Sequence, residues 1–213
     1  MRWLVAGGVA AAVQMIAFVT VAGLTRTGYD PNRNWISQLS LGPGGWLNDV
    51  NLATCGVWLV LCAAGLRRLR AARLILVCGV CLIAIALLRT DPGIGYPPEV
   101  APARTFIGTA HQLVSVLLAF SGIAAAAMLG RAIRRERTGL AVAAVMTVSF
   151  VAGSVLVLLD AGGVLPGAPS GLLERVALFT GFAWIGVVSA VLMVRPPPAS
   201  DSPGPEPMVR SSL

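Results

Sequence analysis

Six runs of apolar residues, most of them long enough to cross a lipid bilayer, restrict what this chain can fold into. They lie at Trp3–Leu24, Trp46–Leu66, Leu74–Arg89, Thr105–Gly130, Gly139–Asp160 and Leu172–Val194. About 20 apolar residues in a helix span the hydrocarbon core of a membrane. Inside lipid such a run must be helical, because a helix pairs its own backbone groups. The sequence therefore predicts an all-α, polytopic bundle of six transmembrane helices.

Composition and charge exclude a water-soluble domain and a nucleic-acid-binding protein. Apolar residues make up 56% of the chain and charged residues 12%, whereas soluble domains have about 45–50% and about 25%. The net charge is +7, but all basic residues are arginines, and most stand in short loops beside apolar runs. Membrane topology explains that placement better than phosphate binding does. We expect the lipid bilayer as a partner and no nucleic acid.

The distribution of arginines predicts how the helices are oriented. Cytoplasmic loops of membrane proteins carry an excess of basic residues, and the loops on one side of the predicted bundle hold most of the arginines. We therefore predict a multi-pass protein of the bacterial inner (plasma) membrane with both termini cytoplasmic. Residues 1–195 form the membrane domain. Residues 196–213 are rich in Pro and Ser without apolar periodicity, which predicts a disordered cytoplasmic tail.

Polar residues are concentrated on the side that is predicted to face outward. The segment Tyr29–Asn51 is the longest polar, turn-rich interval between two apolar runs, and the outward loops and helix ends hold most of the acidic residues. Irregular loops tend to carry function. We predict a polar pocket on this side that binds a small molecule or a lipid headgroup. Its candidate residues are Asp30, Arg33, Ser37, Asn48, Asp49, Arg89, Asp91, His111 and Asp160.

His111 is the sole histidine, and it lies near the outward start of the fourth run. An ionisable group at that depth needs a partner, and we expect one among Asp49, Asp91 and Asp160. A histidine beside a carboxylate can act as a general base or help to bind a divalent cation, but no metal-ligand pair such as HExxH is present. We therefore predict no metal site and no cofactor.

Structural roles compete with function for several of these residues. Asp30 and Asp91 each precede a proline, and an Asp in such a turn can bond backbone amides. Tyr29 and Tyr96, together with Trp35 and Trp46, fit the aromatic belt of a membrane interface. The outward arginines are expected to pair with carboxylates close by in sequence. The expected pairs join Arg33, Arg89 and Arg175 to Asp30, Asp91 and Glu174.

A spacing of 63 residues separates Gly45 from Gly108 and Gly108 from Gly171, each at the outward start of an even-numbered run. Three residues after each glycine comes a polar side chain, and the three side chains are Asn48, His111 and Glu174. This pattern is typical of three helical hairpins with a common ancestor. Coincidence is the alternative in a chain with 24 glycines.

Three motifs carry a resemblance to a known family. They are a YDPxRxxISxLSLGxxGW loop, a DPxxGxPP loop and a Gly-x-x-His at the start of the fourth run. Together they resemble the bacterial membrane family called domain of unknown function 998, over roughly residues 1–195. Glu99 departs from the small residue expected after the two prolines. The resemblance implies a membrane location and six helices, and it implies no activity. The matching residues are Tyr29, Asp30, Pro31, Arg33, Ile36, Ser37, Leu39, Gly42, Gly45, Trp46, Asp91, Pro92, Gly95, Pro97, Pro98, Gly108 and His111.

Three classes of function stay open on the sequence. The leading hypothesis is a membrane protein that binds a small molecule or a lipid headgroup without covalent chemistry. The enzymatic alternative is an intramembrane hydrolase or lipid transferase that uses His111 with Asp49 or Asp91. The third is a scaffold or transporter subunit. The inward halves of the runs lack ionisable residues, which argues against a polar path through the membrane.

Overall fold

The computed structural model describes residues 2–194 as six α-helices without strands. The predicted all-α six-helix bundle is confirmed, and the predicted bounds differ from the observed ones by at most three residues, as at Leu74 against Ala71. The predicted tail, residues 196–213, lies outside the described part of the chain. The helices are α1 (Arg2–Thr25), α2 (Trp46–Gly65), α3 (Ala71–Leu87), α4 (Phe106–Ala132), α5 (Glu136–Ala161) and α6 (Ser170–Val194).

Five of the helices are long and apolar enough to cross a membrane, and α3 is a shorter apolar helix of 17 residues. At 1.5 Å per residue α3 is about 25 Å long, a little less than the hydrocarbon core of about 30 Å. These helices indicate a multi-pass membrane protein. Each helix carries apolar side chains on most of its surface, as expected where one face of the helix meets lipid and the other meets protein.

The six helices form a closed ring. Each helix packs on its neighbours in the chain, and α1 returns to pack on α6, while α4 and α6 also touch across the ring. The helices therefore do not separate into three independent hairpins, since α2 packs on α3 as well as on α1. Buried apolar residues of α1, α2, α3 and α6 form most of the core.

Turn residues set where the helices begin and end. Before α2 the chain reads Gly42-Pro43-Gly44-Gly45, and Gly42 and Gly44 adopt φ values of +72° and +74°, which glycine tolerates because it has no Cβ. At the start of α4 the Thr105 hydroxyl accepts a hydrogen bond from the Gly108 amide at 2.9 Å, a typical N-cap. The three long connections lie at one end of the ring, which we call the loop end: residues 26–45, 88–105 and 162–169.

Candidate functional site

The polar segment that follows α1 is folded into the loop end of the ring. Residues 29–41, which we call the plug segment, contain a 3₁₀ helix at Ile36–Ser40 whose five residues are all buried. The sequence predicts this stretch as a polar face at the membrane surface. Its burial follows from Ile36 and Leu39, whose apolar side chains join the core cluster and remove apolar surface from water.

Arg175 of α6 holds the start of the plug segment. Its guanidinium donates to the carbonyl oxygens of Pro31 at 2.6 Å and Asn34 at 2.9 Å, and to the Tyr29 hydroxyl. Burial raises the pKa of Tyr29 above its ordinary value, so the phenol stays protonated and donates toward the carbonyl oxygen of Trp35 at 2.9 Å. Arg175 therefore satisfies backbone acceptors of the plug segment, together with the Tyr29 hydroxyl, which also donates to the Asn34 carbonyl at 3.0 Å.

Two side chains hydrogen-bond to the backbone of Ile36, one to its amide and one to its carbonyl. The Glu174 carboxylate accepts from the Ile36 amide at 2.6 Å, and the Asn48 amide donates to the Ile36 carbonyl at 3.2 Å and to the Ser40 hydroxyl at 3.0 Å. Asn48 and Glu174 are two of the three polar residues that follow the glycines of the 63-residue spacing. The spacing thus coincides with a shared structural task at Ile36, while common ancestry stays a prediction.

The three glycines of that spacing all allow a close approach at the loop end. A Cβ on Gly45 would lie 2.1 Å from the Ser40 carbonyl oxygen, and one on Gly171 would lie 2.3 Å from that of Asn34. A Cβ on Gly108 would lie 2.0 Å from the Asp91 carboxylate. Each glycine therefore lets a loop pack directly on the first turns of an even-numbered helix.

The predicted local pairing of the outward arginines is wrong. Arg33 forms two hydrogen bonds of 2.7 Å to the carboxylate of Asp160, at the end of α5, and not to Asp30. Arg89 forms its ion pair with Asp49 of α2, at 3.3 Å, and none with Asp91. Arg175 uses backbone carbonyls in place of Glu174. Ring closure brings these distant partners together, and spacing along the chain does not reveal them.

Asp91 and Asp30 hold turns, as the structural interpretation predicts. The Asp91 carboxylate accepts from both the amide and the hydroxyl of Thr105 at 2.7 Å, which closes the connection between α3 and α4. Asp30 accepts from the Asn32 amide at 2.9 Å. Both carboxylates therefore stabilise loop geometry.

The prediction that Tyr29 and Tyr96 belong to an aromatic belt is wrong. Both side chains are buried at the loop end, and their rings pack edge to face with centroids 5.2 Å apart. Such pairs are favourable because the positive edge of one ring meets the negative face of the other. The contact joins the plug segment to the connection between α3 and α4. Gln38 reinforces that junction by donating to the Gly93 carbonyl at 2.6 Å.

A cavity of about 160 Å³ lies inside the ring beneath the plug segment. Its walls are mostly apolar side chains of α2 to α6, among them Leu82, Leu118 and Phe182. In another protein an apolar cavity of about 150 Å³ holds a benzene molecule. Polar residues also border the cavity. They are Trp35, Ser37, His111, Ser115, Ser149, Ser154 and Glu174.

His111 is buried, and its Nδ1 lies 2.5 Å from the carbonyl oxygen of Leu88. Because a carbonyl oxygen only accepts, Nδ1 carries the proton, and Nε2 of the neutral ring is the acceptor. His111 makes no hydrogen bond to Asp49, Asp91 or Asp160, and of the three predicted carboxylate partners Asp91 interacts with its ring through space. The catalytic alternative requires such a pair, and Asp49 and Asp91 are engaged by Arg89 and Thr105.

The structure thus divides the nine predicted site residues into two groups. Ser37 and His111 border the cavity. The others position the loops around it: Asp30, Arg33, Asn48, Asp49, Arg89, Asp91 and Asp160. The prediction of the site leaves out Glu174, which borders the cavity too. The 63-residue spacing is the signal that singles it out. Within residues 2–194 no group of His, Cys, Asp and Glu could hold a metal ion.

The family model described as "Protein of unknown function (DUF998)" matches residues 9–191. The chain therefore belongs to the DUF998 family, and the resemblance carried by the three motifs is confirmed. Neither a curated protein nor a solved structure matches the chain.

Proposed function

We propose that this member of the DUF998 family binds a lipid non-covalently at its loop end. The apolar part of the lipid would occupy the cavity, and its polar head would lie at Ser37, His111 and Glu174. The observation that carries the proposal is a cavity of about 160 Å³ with mostly apolar walls and these polar residues at its border. Ligand sites typically combine apolar walls with a few placed polar groups.

The volume limits how the lipid would lie. A cavity about the size that holds benzene accepts a section of one apolar chain, and the rest of the chain would extend along the outer surface of the bundle. That surface suits it, because Leu113, Leu117 and Phe120 of α4 are exposed apolar side chains. The membrane supplies such a ligand directly.

We also propose that the loop end faces the extracytoplasmic side of a plasma membrane. The support is the excess of arginine at the other end of the ring, which includes Arg67, Arg68, Arg134 and Arg135 in the two connections there. The bound head would then lie close to the outer leaflet.

Two matched substitutions on α4 test lipid binding. Ala119 borders the cavity, whereas Ala124 is exposed and does not border it. Ala119→Phe should fill the cavity, and Ala124→Phe should only add apolar surface. After purification in mild detergent, native mass spectrometry should find about tenfold less bound lipid on Ala119→Phe than on the other two proteins, a loss of about 1.4 kcal/mol of binding free energy.

Equal lipid on all three proteins, or lipid on none of them, would overturn the proposal. Overpacking can destabilise a core, so thermal unfolding is measured alongside. If Ala119→Phe does not fold, Gly122→Leu adds side-chain volume to the same cavity one turn further along α4, and the same comparison applies.

A further inference from the structure

Five polar groups beside the cavity have no hydrogen-bond partner within residues 2–194. They are the indole Nε1 of Trp35, the hydroxyls of Ser37 and Ser149, Nε2 of His111 and Oε1 of Glu174. Nδ1 of His111 is bonded to Leu88 and Oε2 of Glu174 to Ile36. A neutral imidazole Nε2 and a carboxylate oxygen are acceptors, and a hydroxyl is both donor and acceptor. The Trp35 indole only donates, so the polar border offers one donor, two hydroxyls and two acceptors. A head that lies at the two acceptors, His111 and Glu174, has to supply the hydrogens.

Four of the five arginines at the loop end are engaged elsewhere, and the fifth, Arg104, is exposed and does not border the cavity. Arg33 is bonded to Asp160, Arg89 to Asp49, and Arg175 to backbone carbonyls. Arg26 donates to the Pro43, Leu39 and Gly44 carbonyls. Among the described residues no arginine borders the cavity. An anionic head placed there would meet the Glu174 carboxylate, and like charges in contact are repulsive. Arg175 interacts with Glu174 through space, but its guanidinium is bonded to backbone carbonyls and does not border the cavity.

From these contacts we propose that the head of the bound lipid donates hydrogen bonds and carries no negative charge. A hydroxyl or an amine has this chemistry, and a phosphate or carboxylate does not. The Glu174 oxygen and His111 Nε2 would accept from the head, and Ser37 would donate to a hydroxyl oxygen. This inference rests on the proposed lipid binding and specifies its ligand class.

Three ligands that share one chain test the inference: oleyl alcohol, oleylamine and oleyl phosphate. Each competes with a fluorescent fatty alcohol for the purified full-length protein in detergent at neutral pH. The alcohol or the amine should bind at least about tenfold more tightly than the phosphate, a difference of about 1.4 kcal/mol. A preference for the amine that disappears in Glu174→Gln would identify charge pairing, whereas a preference for the alcohol should persist in that variant.

Glu174→Gln provides the second measurement. Glutamine keeps an oxygen that can accept from the Ile36 amide, so the plug segment should stay in place, while the carboxylate charge is lost. Binding of oleyl phosphate should rise about tenfold in this variant. Glu99→Gln, at an exposed position of the loop end that does not border the cavity, removes the same charge and should leave all three affinities unchanged.

The outcomes separate the two proposals. If none of the three ligands binds and no lipid is found on the purified protein, lipid binding itself is wrong. If the ligands bind but the phosphate binds as tightly as the other two, or if Glu99→Gln has the same effect as Glu174→Gln, the inference about the head is wrong and lipid binding stands. Thermal unfolding of Glu174→Gln shows whether its fold is retained. If Glu174→Gln does not fold, His111→Gln is measured in its place, since glutamine also offers an acceptor. This variant keeps the Glu174 carboxylate, so it should still bind the alcohol more tightly than the phosphate. If it binds both equally while its affinity for the alcohol is unchanged, the role of Glu174 is contradicted.

Discussion

Arg33 and Asp160 form a bidentate ion pair, with both hydrogen bonds at 2.7 Å, across a separation of 127 residues. The pair joins the plug segment to the end of α5. The two side chains are unequally exposed, at 33% for Arg33 and 1% for Asp160. The hydrogen bonds to Asp160 raise the pKa of Arg33, which keeps the guanidinium charged.

This inequality predicts an asymmetric response to mutation. Arg33→Ala leaves a buried carboxylate without its cation and should cost about 2–3 kcal/mol of unfolding free energy. Asp160→Ala leaves an arginine that can turn toward water and should cost about 1 kcal/mol. Unfolding in detergent or mixed micelles measures both, and a double-mutant cycle gives the coupling. An equal or larger loss for Asp160→Ala would contradict the prediction.

Gly108→Ala should destabilise the connection between α3 and α4. The added Cβ would lie 2.0 Å from the Asp91 carboxylate, which would displace it from the amide and hydroxyl of Thr105. We expect the free energy of unfolding to fall by about 1–3 kcal/mol. Gly93 of the same connection has no atom within 4 Å of its added Cβ, so Gly93→Ala should change stability by less than about 0.5 kcal/mol. Similar melting temperatures for the two variants would disprove the close contact.

Arg175→Lys should weaken the plug segment even though it keeps the charge. The planar guanidinium bonds the Pro31, Asn34 and Gly171 carbonyls and Tyr29 at once, and a single ammonium cannot reproduce that fork. The substitution should lower the free energy of unfolding by about 2 kcal/mol or more. Arg104→Lys, at an exposed position, serves as the control. Limited proteolysis within residues 29–41 should become faster only in Arg175→Lys, and equal cleavage of both variants would argue against this role.

Three substitutions around Asn48 should rank in a fixed order. Ser40→Ala removes one acceptor of the Asn48 amide and should cost about 1 kcal/mol. Asn48→Ala removes the partner of the Ile36 carbonyl and leaves a void, and it should lower the unfolding free energy by about 2–3 kcal/mol. Asn48→Asp removes the amide that donates to Ile36 and Ser40 and places a carboxylate at a fully buried position, so it should be the most harmful. Thermal unfolding measures this order of stability. The prediction is wrong if Asn48→Asp is as stable as the wild type.

The proposed orientation predicts which surface positions react from outside the cell. The native cysteines are all buried, so a single exposed cysteine can be labelled selectively with a membrane-impermeant maleimide. Ala101→Cys, at the loop end, should be labelled in intact cells, and Thr138→Cys, at the opposite end of α5, should be labelled only after lysis. The reverse pattern would invert the proposed topology.

Helix positions could be predicted because they depend on local properties of the chain. Length and continuous apolarity identify a membrane-crossing helix, and glycine, proline and Asp mark the turns between helices. The same local rule anticipated the roles of Asp30 and Asp91. It did not anticipate the burial of Ile36 and Leu39, because a short segment rich in Asn, Arg and Ser is typical of a surface loop.

The sequence by itself determined that this is a six-helix membrane protein, because the length of an apolar run depends only on residues that are consecutive in the chain. It did not determine which helix faces adjoin, since lipid and protein interior are equally apolar and hydrophobicity cannot tell one from the other. Only ring closure brings Asp160 to Arg33 and Glu174 to Ile36, because hydrogen bonding acts over about 3 Å in space and takes no account of separation along the chain. The cavity and its polar border exist for the same reason.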